Sequence, residues 1–183
     1  PTRRSSDLGT SMKGFRMCPE CRREYQDVED RRFHAQPIGC PSCGPSVKVL
    51  FSDGSGLGFG HGFDTPAAQA AWVLADGLIV ALLGVGGFQL LADASSEAAV
   101  RRLRRLKERD AKPFAVMVPD VAAAERLCRL SEEERRLLAS PAAPIVLARG
   151  RKDVDLAPSV CMFSRFVGIM LPSSPLHALL DRK

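Results

Sequence analysis

The chain has 183 residues, 45% of them hydrophobic and 26% charged, so a packed core is possible and wholesale disorder is excluded. A formal net charge of +5 tolerates an anionic ligand or partner without requiring one, and a mildly basic surface with no such partner also explains it. The longest apolar run, Leu78 to Val85, is too short to span a bilayer, and no charged-then-apolar leader opens the chain, so a cytoplasmic protein without a membrane role is expected.

Residues 1–9, PTRRSSDLG, share no pattern with the rest of the chain and read as an assembly or expression remnant. Residues 10–50 form a candidate zinc-finger module. They carry four of the six cysteines as two C-x-x-C pairs, Cys18 with Cys21 and Cys40 with Cys43. Each pair presents two thiolates on one tight turn. Together they offer the four sulfurs of a tetrahedral Zn²⁺ site with Zn–S distances of about 2.3 Å. Without an export signal a metal is favoured over two disulfides or free thiols, which stay as the alternatives. Four thiolates leave no open coordination position, so the metal is expected to be structural. A module of about 35 residues has too little core to fold unaided. Between the pairs, DRRFHAQP (30–37) predicts a solvated hairpin with Phe33 packed on the cysteine turns; His34 in place of one cysteine is a second ligand set. Cys128 and Cys161 stand alone and read as core or surface residues.

Residues 51–64 hold five glycines and read as a flexible linker. Beyond it, Thr65 is a candidate N-cap, Pro66 a first helical residue and Gly77 a C-terminal stop, so a helix is predicted. The continuous apolar run 78–83 predicts a buried strand, 84–87 a turn and 88–92 a second strand. A basic helix comes next, with Val100, Leu103 and Leu106 as its apolar stripe. Strands are predicted at 113–118, 144–148 and 166–171. Asp120 and Ser131 are candidate caps, and Ser131 with Glu134 fits a capping box. A last helix begins at Pro175, and its interruption at Lys183 suggests a segment of a longer protein. Strands alternating with helices predict an α/β sheet domain over 65–183.

Lys107, Arg109 and Lys112 stand just before the 113–118 strand. Cations at such a junction can converge on phosphate oxygens; a solvated helix face is the alternative.

The stretch CPECRREY, followed by DRRFHAQP and CPSCGP, resembles the second zinc module of the HypF-type carbamoyltransferases, maturation proteins of [NiFe]-hydrogenases. GVGGFQLLADA, KPFAVM, PIVLA and GIMLPSSPLH resemble blocks of the YrdC-like nucleotide domain that comes after it in that family. The resemblance covers about residues 10–183 and implies a twisted α/β sheet, here incomplete. It also implies that Lys107 and Arg109 contact ATP phosphates or the carbamoyl group, with Lys112 as a neighbouring support; no catalytic residue is assigned. The implied chemistry takes carbamoyl phosphate to carbamate, joins carbamate to ATP with Mg²⁺ as carbamoyl-adenylate, and passes the carbamoyl group to the C-terminal cysteine of a HypE-type acceptor. The piece alone is expected to be inactive. The sequence departs from the family at Leu83, Leu106, Asp110, Ala143 and Ser173, where lysine, a basic–proline pattern, arginine and tyrosine are usual. A threonylcarbamoyl-adenylate synthase of the same fold and a non-enzymatic zinc-ribbon or RNA-binding module are the rival readings. Tyr25, Phe33 and Trp72 are scattered along the chain, which argues against RNA stacking.

Overall fold

The computed structural model describes residues 16–35, 38–56, 65–84 and 87–180. The readings placed on residues 1–9, on Gln36 and Pro37, on 57–64 of the linker, on Val85 and Gly86 and on 181–183 lie outside them. The chain divides into two compact units, with the division between Gly56 and Leu57.

The first unit is built around helix α1 (Pro19–Gln26). Pro19 supplies the fixed φ favoured at a first helical position, and the Cys18 sulfur caps the helix by accepting the Cys21 N–H at 3.5 Å. The second cysteine pair sits on a turn in which Cys43 N and Gly44 N both donate to the Cys40 carbonyl, at 3.2 and 2.7 Å. A Cβ at position 44 would stand 2.8 Å from that carbonyl oxygen, so only glycine fits. Arg32 ties the two halves together, pairing with Glu24 of α1 at 2.6 Å and donating to the Gly39 carbonyl at 2.8 Å.

In the second unit, helix α2 (Pro66–Ala75) is capped by Thr65 Oγ1, which accepts the Ala68 N–H at 3.2 Å. The chain leaves it through Gly77 at φ +77°, a conformation open to glycine. Strands β1 (Val80–Gly84) and β2 (Gly87–Leu91) form an antiparallel hairpin. The sequence run 78–83 predicts a buried strand; β1 instead alternates half-buried and exposed residues, with Leu83 and its partner Phe88 both exposed. Successive side chains of a strand point to opposite faces, and the alternation shows that one face of the two-stranded hairpin is only partly covered while the other stays open.

Helix α3 (Glu97–Leu106) is capped by Ser96 and leads to strand β3 (Ala115–Met117). There follow α4 (Val121–Leu127), β4 (Cys128–Arg129), α5 (Glu132–Leu138), β5 (Val146–Gly150), α6 (Pro158–Cys161), β6 (Phe166–Met170) and α7 (Pro175–Leu180). Asp120 and Ser131 cap α4 and α5, and the Ser131–Glu134 capping box is formed in both directions. The larger sheet runs β3-β6-β5-β4, with β3 and β6 parallel and the other pairs antiparallel. Register places Val116, Ile169, Val146, Val167 and Ala148 on the buried face; Leu147 and Phe166 on the opposite face are exposed. Val100, Ala124, Cys128, Leu138 and Val160 complete the core. Cys128 is thus a core residue, its thiol pushed up to about 11 by burial, and Cys161 packs partly buried at the margin.

On α3, Val100 and Leu103 are buried but Leu106 is 64% exposed, against the predicted stripe. At about 100° per residue, Leu106 lies about 120° round the helix from Val100, whereas Arg104 lies within about 40°. Arg104 takes the inward position and is 8% exposed.

Candidate metal centre and basic loop

The four sulfurs of Cys18, Cys21, Cys40 and Cys43 lie within 4.8 Å of one another. Three of the contacts measure 3.7 Å (Cys18–Cys40), 3.8 Å (Cys40–Cys43) and 3.6 Å (Cys21–Cys43). A regular tetrahedron of sulfurs about 2.3 Å from a central zinc has edges of about 3.8 Å. The separations therefore fit a zinc ion at the centre, and all four cysteines are free of disulfides. Burial, then the neighbouring thiols, pushes the Cys21 thiol up to about 12, while backbone N–H groups pull Cys43 down to about 6 and lower Cys40. Donors aimed at Cys40 and Cys43 favour the thiolate that a metal requires.

His34 is not one of this group. Its N–H donates to the Tyr25 carbonyl at 3.0 Å, and its ring stacks between Tyr25 and Phe33, with centroids at 5.0 and 4.2 Å. Phe33 lies against His34 and stays 40% exposed.

The basic loop joins α3 to β3. Lys107 is the C-cap of α3, its N–H bonded to the Leu103 carbonyl at 3.0 Å. Lys107 and Lys112 are exposed and make no ion pair among the described residues. Arg109 is half-buried. Its Nε and Nη2 donate to the carbonyls of Lys112 and Pro113 at 3.1 and 2.7 Å, and its guanidinium lies 5.1 Å from the Phe114 ring centroid. The three cations thus share one short loop, but Arg109 is turned onto the loop backbone while the lysines extend into solvent.

Arg104 gave no functional signal in the sequence. Its guanidinium lies 4.7 Å from the Phe114 centroid and donates to four carbonyls, those of Ser159 (2.6 Å), Val160 (3.2 Å), Arg109 (2.7 Å) and Lys112 (3.3 Å). Ser159 also receives a carboxylate from the other side. Its hydroxyl and N–H donate to Glu97 at 2.6 and 3.0 Å, and with Arg101 they hold Glu97 down to about 2. Of the positions that depart from the sequence resemblance, Ser173 bonds His177 Nδ1 at 3.2 Å. His177, 4% exposed, reaches Gln89 of the hairpin at 2.7 Å and so joins α7 to β2.

A four-thiol unit followed by a mixed α/β sheet domain defines the class to which these parts belong. The HypF finger family model matches residues 17–50, and the Sua5–YciO–YrdC family model, "Telomere recombination", matches residues 72–183. The chain belongs to the Sua5–YciO–YrdC family and carries a HypF finger ahead of that domain. It is 46% identical over 173 residues to "Carbamoyltransferase HypF" of Rhodobacter capsulatus, covering 93% of this chain and 22% of that protein. The crystal structure of full-length HypF in the phosphate- and nucleotide-bound form superposes with a TM-score of 0.76 at 44% identity, over 94% of this chain and 22% of that one. HypF of T. kodakarensis superposes with a TM-score of 0.79 at 38% identity, with the same coverage. The chain therefore spans about a fifth of the length of these relatives.

Proposed function

We propose that this chain is the second zinc finger and the YrdC-like nucleotide segment of a HypF-type carbamoyltransferase acting in [NiFe]-hydrogenase maturation. The observation that carries the reading is the order of parts: a HypF finger at 17–50, then a YrdC-like domain at 72–183, in a chain 46% identical to a HypF over nearly its full length. The same finger weighs against a threonylcarbamoyl-adenylate synthase.

In this reading Cys18, Cys21, Cys40 and Cys43 hold a structural Zn²⁺ that fixes the finger and takes no part in the reaction. Lys107 contacts the ATP phosphates or the carbamoyl group with Lys112 beside it, and Arg109 joins them only by releasing the loop carbonyls that its guanidinium holds in this structure. A carbamate oxygen, released from carbamoyl phosphate elsewhere in the protein, attacks the α-phosphorus of ATP. An O–P bond forms, the bond to the β-phosphate oxygen breaks, and carbamoyl-adenylate and pyrophosphate result. Mg²⁺ bound with the nucleotide would neutralise part of the phosphate charge. The loop's cations stabilise charge that develops on the leaving pyrophosphate. Transfer to the cysteine thiol of a HypE-type acceptor then gives a thiocarboxamide and AMP. Cysteine pairs that hold zinc rather than each other fit a reducing, cytoplasmic setting.

The test is carbamoyl-phosphate-dependent ATP–pyrophosphate exchange by a full-length HypF-type protein carrying this segment. Lys107→Ala removes a charge-assisted phosphate contact worth about 1.5–3 kcal/mol, so exchange falls roughly ten- to a hundredfold. Unchanged exchange would remove Lys107 from the site.

A further inference from the structure

We infer that Arg104 is the positioning residue of the basic loop: its buried guanidinium sets the backbone from which Lys107 and Lys112 reach a polyphosphate. This rests on the nucleotide reading above.

The loop has little hold on itself. Helix α3 ends with Glu108 in the left-handed region, φ +46°, and with Arg109 N donating to the Arg104 carbonyl at 3.1 Å. That is the wrap of a Schellman-type end, at a residue where glycine is usual. Beyond it the next backbone bond runs from Phe114 N to the Val160 carbonyl, at 3.0 Å. The carbonyls of Arg109, Lys112 and Pro113 are instead taken by the guanidiniums of Arg104 and Arg109. Of the two guanidiniums, that of Arg104 reaches across: two of its bonds go to the loop and two to Ser159 and Val160 on α6.

The chemistry of the clamp is specific to arginine. A planar fork with five N–H donors can serve four carbonyls in two directions; a lysine ammonium has three donors on one atom. No carboxylate pairs with Arg104 among the described residues. A buried charge held by carbonyl dipoles and one aromatic face, with no carboxylate, is a poor device for stability, since an apolar side chain of similar volume often does as well. What the apolar side chain lacks is directional hold on the Arg109 and Lys112 carbonyls. The uncancelled charge also adds to the positive potential where phosphates would arrive.

Three variants of the full-length protein test this: Arg104→Lys, which keeps the charge but loses the fork, Arg104→Met, which loses both, and Lys107→Ala. Hydrogen exchange at the amides of Arg109 and Phe114 reads the loop. ATP–pyrophosphate exchange with varied MgATP reads KM and kcat, and thermal melting reads the fold. Both Arg104 variants should speed exchange at the two amides and raise the KM for MgATP, lowering kcat/KM about tenfold or more, as expected for misplacement of a contacting group by a fraction of an ångström. Lys107→Ala should lose activity with loop exchange unchanged. A residue that served stability alone would lower the melting temperature and leave the KM of the folded enzyme where it was, and that result overturns the proposal. Unchanged amide exchange in both Arg104 variants overturns it as well. Full activity in Lys107→Ala removes Lys107 from the site and overturns the positioning role with it, while amide exchange still reports whether Arg104 orders the loop.

Discussion

Replacing Cys40 by serine removes one of four sulfurs that lie within 4.8 Å of one another, three of whose separations, 3.6–3.8 Å, match the edges of a zinc–thiolate tetrahedron. Among the described residues of the first unit, only Cys21 and Ile38 are buried apolar side chains. Burying a side chain of isoleucine size contributes about 1.5–3 kcal/mol, whereas a structural zinc contributes about 10–16 kcal/mol in finger peptides. The metal therefore dominates, and Cys40→Ser should unfold the finger. The second unit has its own core around Val116 and Ile169 and should keep its melting transition. Metal analysis of the unaltered protein should give about one zinc per chain. Hydrogen exchange should show the amides of His34, Cys43 and Gly44 protected before, and unprotected after, the substitution or treatment with a chelator. Metal-free protein that keeps those three amides protected would refute the reasoning, as would native protein without zinc whose four thiols titrate freely.

Ile169→Ala opens a cavity in the fully buried centre of the larger sheet and should cost about 2–5 kcal/mol, read from the shift of the urea midpoint of the second unit. Thr65→Ala removes the side-chain cap of α2 and should cost about 1 kcal/mol by the same measurement; no change would mean that the α2 N-terminus is held by other contacts. The Ser159 hydroxyl, then its N–H and Arg101, hold Glu97 down from 4.5 to about 2, so its contribution is present above pH 4.5 and is lost as pH falls toward 2. Because the carboxylate is a third exposed, the loss should be on the order of 1 kcal/mol. Urea melts from pH 6 to pH 2.5 should fall more steeply for the unaltered protein than for Glu97→Gln, and identical slopes would exclude the contact.

Elements with local chemistry were readable from the residues. Thr65 with Pro66, Asp120, and Ser131 with Glu134 mark helix starts because each cap is satisfied within three residues of itself. The four cysteines were equally plain, since a C-x-x-C pair carries its geometry in its spacing. What escaped depends on partners distant in sequence. The run 78–83 is apolar enough for burial, yet how much of it is covered depends on what packs against its two faces. Leu106 was placed on the buried stripe by composition, when counting turns puts Arg104 there. That count was the available signal for Arg104, and a charged residue on an apolar face is easily set aside as solvated. The basic loop could not be told from a solvated helix face by charge, because its order comes from carbonyls at 159 and 160 some fifty residues later.

The parallel pairing of β3 with β6 has a consequence for synthesis. Ala115 pairs with Gly168, and Val116 with Ile169, so β3 has no strand neighbour among the described residues until the chain is made that far. At about 5–20 residues per second, the intervening stretch takes roughly 3–10 s to emerge. During that time the PFAVMV segment, Pro113 to Val118, is an apolar strand without its ladder. Beside it in the chain stands helix α3, with exposed cations at Arg101, Arg102 and Arg105 and at its cap, Lys107. Like charges on neighbouring copies repel, so an arginine-rich helix next to an unladdered apolar strand disfavours the pairing of two copies through it.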